Sequence, residues 1–322
     1  MKMNFTKTMM IITMLSTTVT AMSTSSILMI WVMMEINMLS FMPMLTKSKP
    51  MKDQPMKYFI IQSLASSTML MSVLLNSTFE SPIKMSIMLT GSLLIKMGLM
   101  PFHMWVPMIM NSMSWETCLI MMTWQKIIPT ILMSQMLKIK MILLPMCFSM
   151  IISPMIAMKQ TSMKKILAYS SISNSPWMIT SMMNSKSQFF MFFMVYSTIN
   201  LMIIKTMKKL NLIYINQMNT ESTKKKISMM INILSMSGMP PMIGFFPKWM
   251  ILQSTMKMSV ILPMSMIISS MISTFVYIKM ISPMWMVMST EKKMKKSVKM
   301  SKENDININI LGTMILMMSK SF

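Results

Sequence analysis

The sequence holds no arginine, one histidine, two cysteines and five glycines among 322 residues. Acidic residues number 8 against 31 basic ones, and all 31 are lysine. Each shortage removes a class of chemistry. Zinc, iron–sulfur and bis-histidine haem sites need several His or Cys ligands. His103, Cys118 and Cys147 stand alone, the cysteines within apolar runs. A haem-carrying electron carrier and a multi-histidine oxidase subunit are excluded, and neither a metal nor a cofactor is expected. Without arginine, planar bidentate recognition of phosphate or carboxylate is missing. Charged residues make up 12% of the chain, where a soluble domain carries about 25%. A water-soluble fold could not cover its surface with so few. The net charge of +23 does not signal nucleic acid, because the lysines sit in short connections between apolar runs.

What is abundant points to a membrane and to a compartment. Hydrophobic residues form 53% of the chain, with 62 methionines and only four alanines. Met, Ile, Lys and Asn are inflated while Ala, Gly and Arg are starved. An AT-rich gene gives this usage when ATA is read as Met, as in animal mitochondria, so a protein made inside a mitochondrion is expected. Apolar runs of membrane length fall at 5–21, 26–45, 58–76, 85–109, 117–137, 141–158, 166–183, 188–204, 227–254 and 258–284, with a shorter one at 306–319. They are too long for barrel strands and lack strand alternation, so helices are expected. Serine and threonine are frequent inside them, where small polar residues serve helix–helix contact. The first run precedes the second almost at once and is read as half of a helical hairpin, not as a cleaved leader. The fold class expected is all-α: a polytopic transmembrane protein of about eleven spans.

Lysine placement orients these spans. With eleven spans, the N-terminus and the connections after even-numbered spans share one side, which holds 21 lysines; the other side holds 6. This bias is the positive-inside pattern and predicts an N-terminus in the matrix.

Four lysines and one glutamate remain within spans: Lys96, Lys126, Lys248, Lys279 and Glu35. A charge at a helix centre costs at least ~2.5–3.5 kcal/mol on insertion scales. Glu35, Lys96 and Lys126 lie at the middles of three different spans. Each has a structural reading, as a neutral hydrogen-bonded acid or a member of a buried ion pair. Only one midplane carboxylate serves two lysines, and burial disfavours an ammonium that lacks a counter-ion, which makes such a lysine a candidate proton carrier. Lys279 lies off the centre of its span, where snorkelling to the interface is the alternative to a relay role. Glu116, beside Trp115, reads as an interfacial anchor.

Two spans cannot be continuous helices. One reads Lys96-Met97-Gly98-Leu99-Met100-Pro101-Phe102-His103-Met104-Trp105-Val106-Pro107 and the other Gly238-Met239-Pro240-Pro241-Met242-Ile243-Gly244-Phe245-Phe246-Pro247-Lys248. Proline removes backbone donors and glycine loosens the chain. Broken backbone is tolerated in a membrane only inside protein or beside water, so Lys248 is expected to line a hydrated cavity or to sit in a structural loop. The breaks fall in the fourth and ninth spans. Five spans is an odd number, so the two units run oppositely through the bilayer, the mark of inverted repeats around an ion path. The expected divisions are 1–138 for the first five-helix repeat, 139–285 for the second, and 286–322 for a matrix loop and final span. His103, just past the first break, reads either as a relay group or as a packed structural histidine.

Several segments resemble the subunit 2 family of mitochondrial NADH dehydrogenase, antiporter-like membrane subunits of respiratory complex I. They are Trp31 to Phe41 around Glu35, Lys57-Tyr58-Phe59 with Gln62, Lys96 to Pro107, Thr123-Trp124-Gln125-Lys126 with Pro129, Lys165 to Ile172, and Gly238 to Trp249. The resemblance implies a proton-translocating subunit without a redox centre, with Glu35, Lys96, Lys126 and Lys248 as its key ionisable positions. It implies other complex I membrane subunits and membrane lipids as partners, with NADH and ubiquinone bound elsewhere in the complex. Departures are Met108, where the family often has an acid, and Asn174, where a histidine is usual; these weaken a relay through the seventh span. A stand-alone cation/proton antiporter and a purely structural scaffold subunit are the rival classes.

Overall fold

The computed structural model describes residues 5–45, 53–78, 82–136, 139–220, 223–257 and 259–291. The expected final span, 306–319, lies outside them. Among the described residues the regular structure is helical, with one isolated bridge, Ser162 to Tyr214. The chain divides into two compact units, Met1–Ser149 and Met150–Phe322.

The first unit contains α1 (Phe5–Ser23), α2 (Ile27–Leu45), α3 (Gln54–Thr78), α4 (Pro82–Met97), α5 (Trp105–Ser112), α6 (Trp115–Met122) and α7 (Ile127–Met136). α8 (Ile139–Ala157) carries the boundary. The second unit contains α9 (Met163–Asn184), α10 (Lys186–Lys209), α11 (Thr223–Ser237), α12 (Phe245–Thr255) and α13 (Ile261–Glu291).

Several of these helices are apolar on the exposed face as well as the buried one, as contact with lipid requires. In α2, Ile30, Met34, Asn37, Met38, Phe41 and Leu45 are buried at helical spacing, while Leu28, Val32, Ile36 and Leu39 on the other side are exposed. Among the described residues, four helical stretches have the length and hydropathy to cross a membrane: Ile27–Leu45, Gln54–Leu75, Lys186–Lys209 and Ile261–Met286. α9 falls below that hydropathy because it is rich in serine, yet every residue from Ile166 to Ser181 is buried. Its hydroxyls donate back along the helix, as in Ser170 to Leu167 O, Ser171 to Ala168 O and Ser173 to Ser170 O. With their polarity met internally, these small side chains let α10, α12 and α13 pack closely around α9.

Both expected breaks are present. α4 and α5 flank residues 98–104, and α11 and α12 flank residues 238–244. A third interruption divides the fifth apolar run, where a short 3-10 turn, Trp124–Lys126, separates α6 from α7.

Candidate functional site

In the first unit, α4 ends because Gly98 takes a φ of 67°, a conformation glycine adopts without steric cost. A side chain there would also collide with Val106 Cγ2. Gly98 N donates to Ile95 O at 3.1 Å and Leu99 N to Leu94 O at 3.0 Å, which closes the last turn. The Trp105 indole reaches across the break and donates to Ile95 O at 3.1 Å. Lys96 thus sits in the final turn of α4, where the helix dipole favours a cation. Its ammonium lies 3.3 Å from Glu35 Oε1. The lysine side chain is 5% exposed and the glutamate 21%, so the carboxylate is the more exposed partner.

Lys126 is held by the third interruption. Proline at 129 cannot donate to Gln125 O, and its ring crowds that carbonyl, so the helix restarts just before it. Lys126 N bonds to Thr123 O, three residues back, at 3.2 Å. The Thr123 hydroxyl donates to Leu119 O at 2.8 Å. Gln125 and Asn37 exchange hydrogen bonds at 3.3 and 3.4 Å, which fastens this turn to α2 one half-turn beyond Glu35. The result is one cavity of about 30 Å³ lined by Lys96, Lys126, Asn37, Gln62, Gln125 and Tyr58, with apolar neighbours. That volume suits one or two waters given polar partners.

The second unit repeats the backbone device with a different use of lysine. Gly238 has a φ of 77° and Gly98 one of 67°, and both breaks carry a cis X–Pro bond three residues later, at Met100–Pro101 and Pro240–Pro241. Pro107 and Pro247 then occupy matching first-turn positions of α5 and α12, where proline is tolerated. Lys248 follows the second break and folds back over it. Its Nζ donates to Ser237 O at 2.9 Å and Met236 O at 3.2 Å, the carbonyls left open at the end of α11. The ammonium also stands 5.8 Å from the Trp177 ring centroid. A Cβ at Gly238 would lie 2.9 Å from Lys248 Cδ and 3.2 Å from its Nζ, so glycine makes room for the lysine. A cavity of about 20 Å³ adjoins Lys248 and is lined by Asn174, Tyr196 and Ser235 among others.

The remaining site residues lie elsewhere. His103 is buried within the first break, with Nδ1 3.2 Å from Pro101 O, and is not among the residues lining the Lys96–Lys126 cavity. Lys279 is exposed and donates to Met158 O, just past the end of α8, at 2.9 Å. Glu116 opens α6 and pairs with Lys7 at 3.8 Å, each about a third exposed.

The chain matches the family model described as "NADH:quinone oxidoreductase/Mrp antiporter, TM" over residues 21–273. NADH-ubiquinone oxidoreductase chain 2 of Locusta migratoria is 40% identical over 285 residues, covering 84% of this chain and 83% of that protein. The chain belongs to the NADH-ubiquinone oxidoreductase chain 2 family. The chain 2 protein of Sus scrofa is 30% identical over 97% of this chain and 96% of its own length. Solved structures share the fold, two of them being the following. A chain of respiratory complex I from Thermus thermophilus superposes with a TM-score of 0.79 at 17% identity, over 98% of this chain and 78% of that one. A chain of the Mrp complex from Dietzia superposes with a TM-score of 0.61 at 14% identity, over 87% and 59%.

Reading the sequence of this chain 2 family member for charge alone missed the amides. Asn37, Gln62 and Gln125 stood out only as points of resemblance, although a polar amide within an apolar run carries the same signal as a charge. Lys226 follows Lys224 and Lys225 in a run that reads as a connection between spans, yet it is wholly buried.

Proposed function

We propose that this chain is a proton-translocating core membrane subunit of the mitochondrial NADH:ubiquinone oxidoreductase, without a redox centre of its own. The observation that carries the proposal is a buried lysine, paired with one carboxylate, sharing a water-sized cavity with a second buried lysine. In this reading the ionised Glu35 stabilises the ammonium of Lys96 across 3.3 Å. Rearrangement elsewhere in the complex weakens the pair, and the proton leaves Lys96 through the polar cavity for Lys126. Lys248 is the next carrier in the series, its ammonium stabilised by the open carbonyls of α11. The two glycine–proline breaks support inverted repeats at 1–138 and 139–285, and the lysine bias supports eleven spans with the N-terminus in the matrix. NADH and ubiquinone bind on other subunits, and the exposed helix faces meet those subunits and lipid.

The likeness to the Mrp chain keeps one second reading, a cation/proton antiporter working alone. Gentle solubilisation and native electrophoresis separate the two. Under the proposal the chain migrates with a large NADH-oxidising assembly. A chain that migrates alone and exchanges cations for protons in vesicles contradicts it.

A further inference from the structure

The second unit holds a larger pocket that the proton path does not use. It measures about 430 Å³, within the range of small-ligand sites, and is lined by Lys159, Gln160, Tyr214, Asn216, Lys279 and Ser282 among others. None of its lining residues is acidic. Three pieces of chain that the helices bring to one membrane face build it: the α8–α9 connection, the turn after α10, and the last part of the apolar stretch of α13.

The frame is defined. Met163 N donates to Ile213 O at 2.9 Å and Ile215 N to Thr161 O at 3.2 Å, which ties the first two pieces together. Gln217 Oε1 accepts from Ile213 N and Tyr214 N at 2.7 and 3.1 Å and fixes the turn. Lys279 is bound to Met158 O at 2.9 Å, which holds α13 against the end of α8. An ammonium has three donors, so that bond leaves Lys279 able to bind an anion.

Depth identifies the ligand. The membrane-length stretch of α13 runs from Ile261 to Met286. Lys279 follows Ile261 by roughly 27 Å of helix, close to the ~30 Å of a hydrocarbon core. Trp285, six residues after Lys279, and Tyr214, which lines the pocket, are half exposed, as aromatic residues are at the headgroup level. A lysine-lined, acid-free pocket at that depth faces phosphates. We propose that it binds the phosphate of an anionic phospholipid, with Lys159 and Lys279 as its cationic contacts and Tyr214, Asn216 and Ser282 as polar ones.

The test uses the full chain in nanodiscs of phosphatidylcholine doped with a photoreactive phosphatidylglycerol, and a parallel set doped with photoreactive phosphatidylcholine. Mass spectrometry then maps the labelled peptides. The anionic probe is expected to label 159–161, 214–216 and 282–283 in excess over the neutral probe. Lys159→Gln or Lys279→Gln should each cut that labelling about fivefold, and the double variant about thirtyfold, with labelling elsewhere unchanged. Lys159→Arg with Lys279→Arg should retain it, which separates charge from folding. Equal labelling by both probes, or insensitivity to the Gln variants, overturns the proposal. So does full displacement by millimolar inorganic phosphate, which would make free phosphate the ligand. A cross-link in native membranes from Lys279 to an acidic segment of protein, with no lipid label, would assign the pocket to that segment.

Discussion

Replacing Gly238 by alanine perturbs Lys248 without touching its charge. The backbone there has a φ of 77°, which costs an L-residue roughly 1–2 kcal/mol. The new Cβ would stand 2.9 Å from Lys248 Cδ and 3.2 Å from its Nζ, closer than van der Waals contact allows, so the side chain must move. Its bonds to Ser237 O and Met236 O, at 2.9 and 3.2 Å, then stretch. A hydrogen bond to a charged group contributes about 1.5–3 kcal/mol. Losing one of the two brings the total to roughly 2.5–5 kcal/mol. Gly91→Ala is the control, because nothing lies within 4 Å of a Cβ there and alanine favours a helix interior by about 1 kcal/mol. The assay measures assembled complex by native electrophoresis, and protons moved per NADH oxidised in sealed vesicles. Gly238→Ala is expected to lower both quantities, and Gly91→Ala neither. A Gly238→Ala complex of wild-type abundance and proton yield would refute the reasoning that this glycine positions the lysine.

Glu35→Gln removes the partner 3.3 Å from Lys96; breaking a buried pair from one side typically costs ~3–5 kcal/mol, so reduced assembly and lost proton yield are expected, with Glu35→Asp recovering part of both. Asn37→Leu leaves the Gln125 amide without its reciprocal partner and should lower proton yield more than NADH oxidation by uncoupled complex, read in the same vesicles. A double-mutant cycle on Lys7 and Glu116, each about a third exposed at 3.8 Å, should return a coupling under about 1 kcal/mol by thermal unfolding. Engineered cysteines in the connections 205–226 and 286–305 should react with impermeant thiol reagents only from the matrix side; labelling of both from the opposite side of mitoplasts would sink the eleven-span orientation.

Much of the fold is legible in the sequence because a bilayer leaves few choices. Backbone groups must be satisfied within each segment, so apolar length translates directly into helix. The run at 26–45 became α2 at Ile27–Leu45, and the run at 188–204 became the core of α10. The breaks at Gly98 and Gly238 were legible for the same reason, since glycine and proline are local instructions. The turn that holds Lys126 carried such an instruction too, in Pro129, but a single proline in an apolar run also occurs in continuous helices such as α2, which contains Pro43. The amide pair of Asn37 with Gln125 joins residues 88 apart and depends on how α2 packs against the 3-10 turn. Burial of Lys226 likewise depends on packing, because its sequence neighbours suggest a wet connection.

Proton yield in an assembled Lys126→Met complex tests the central claim most directly. Lys126 is 5% exposed, and methionine of similar length replaces an ionisable group, costly at a span centre, by an apolar one. The complex should therefore assemble. Its proton yield per NADH should fall below wild type, and Lys126→Arg should fail as well, because arginine holds its proton. An assembled Lys126→Met complex that moves protons with wild-type yield would contradict the account and leave Lys126 a structural residue.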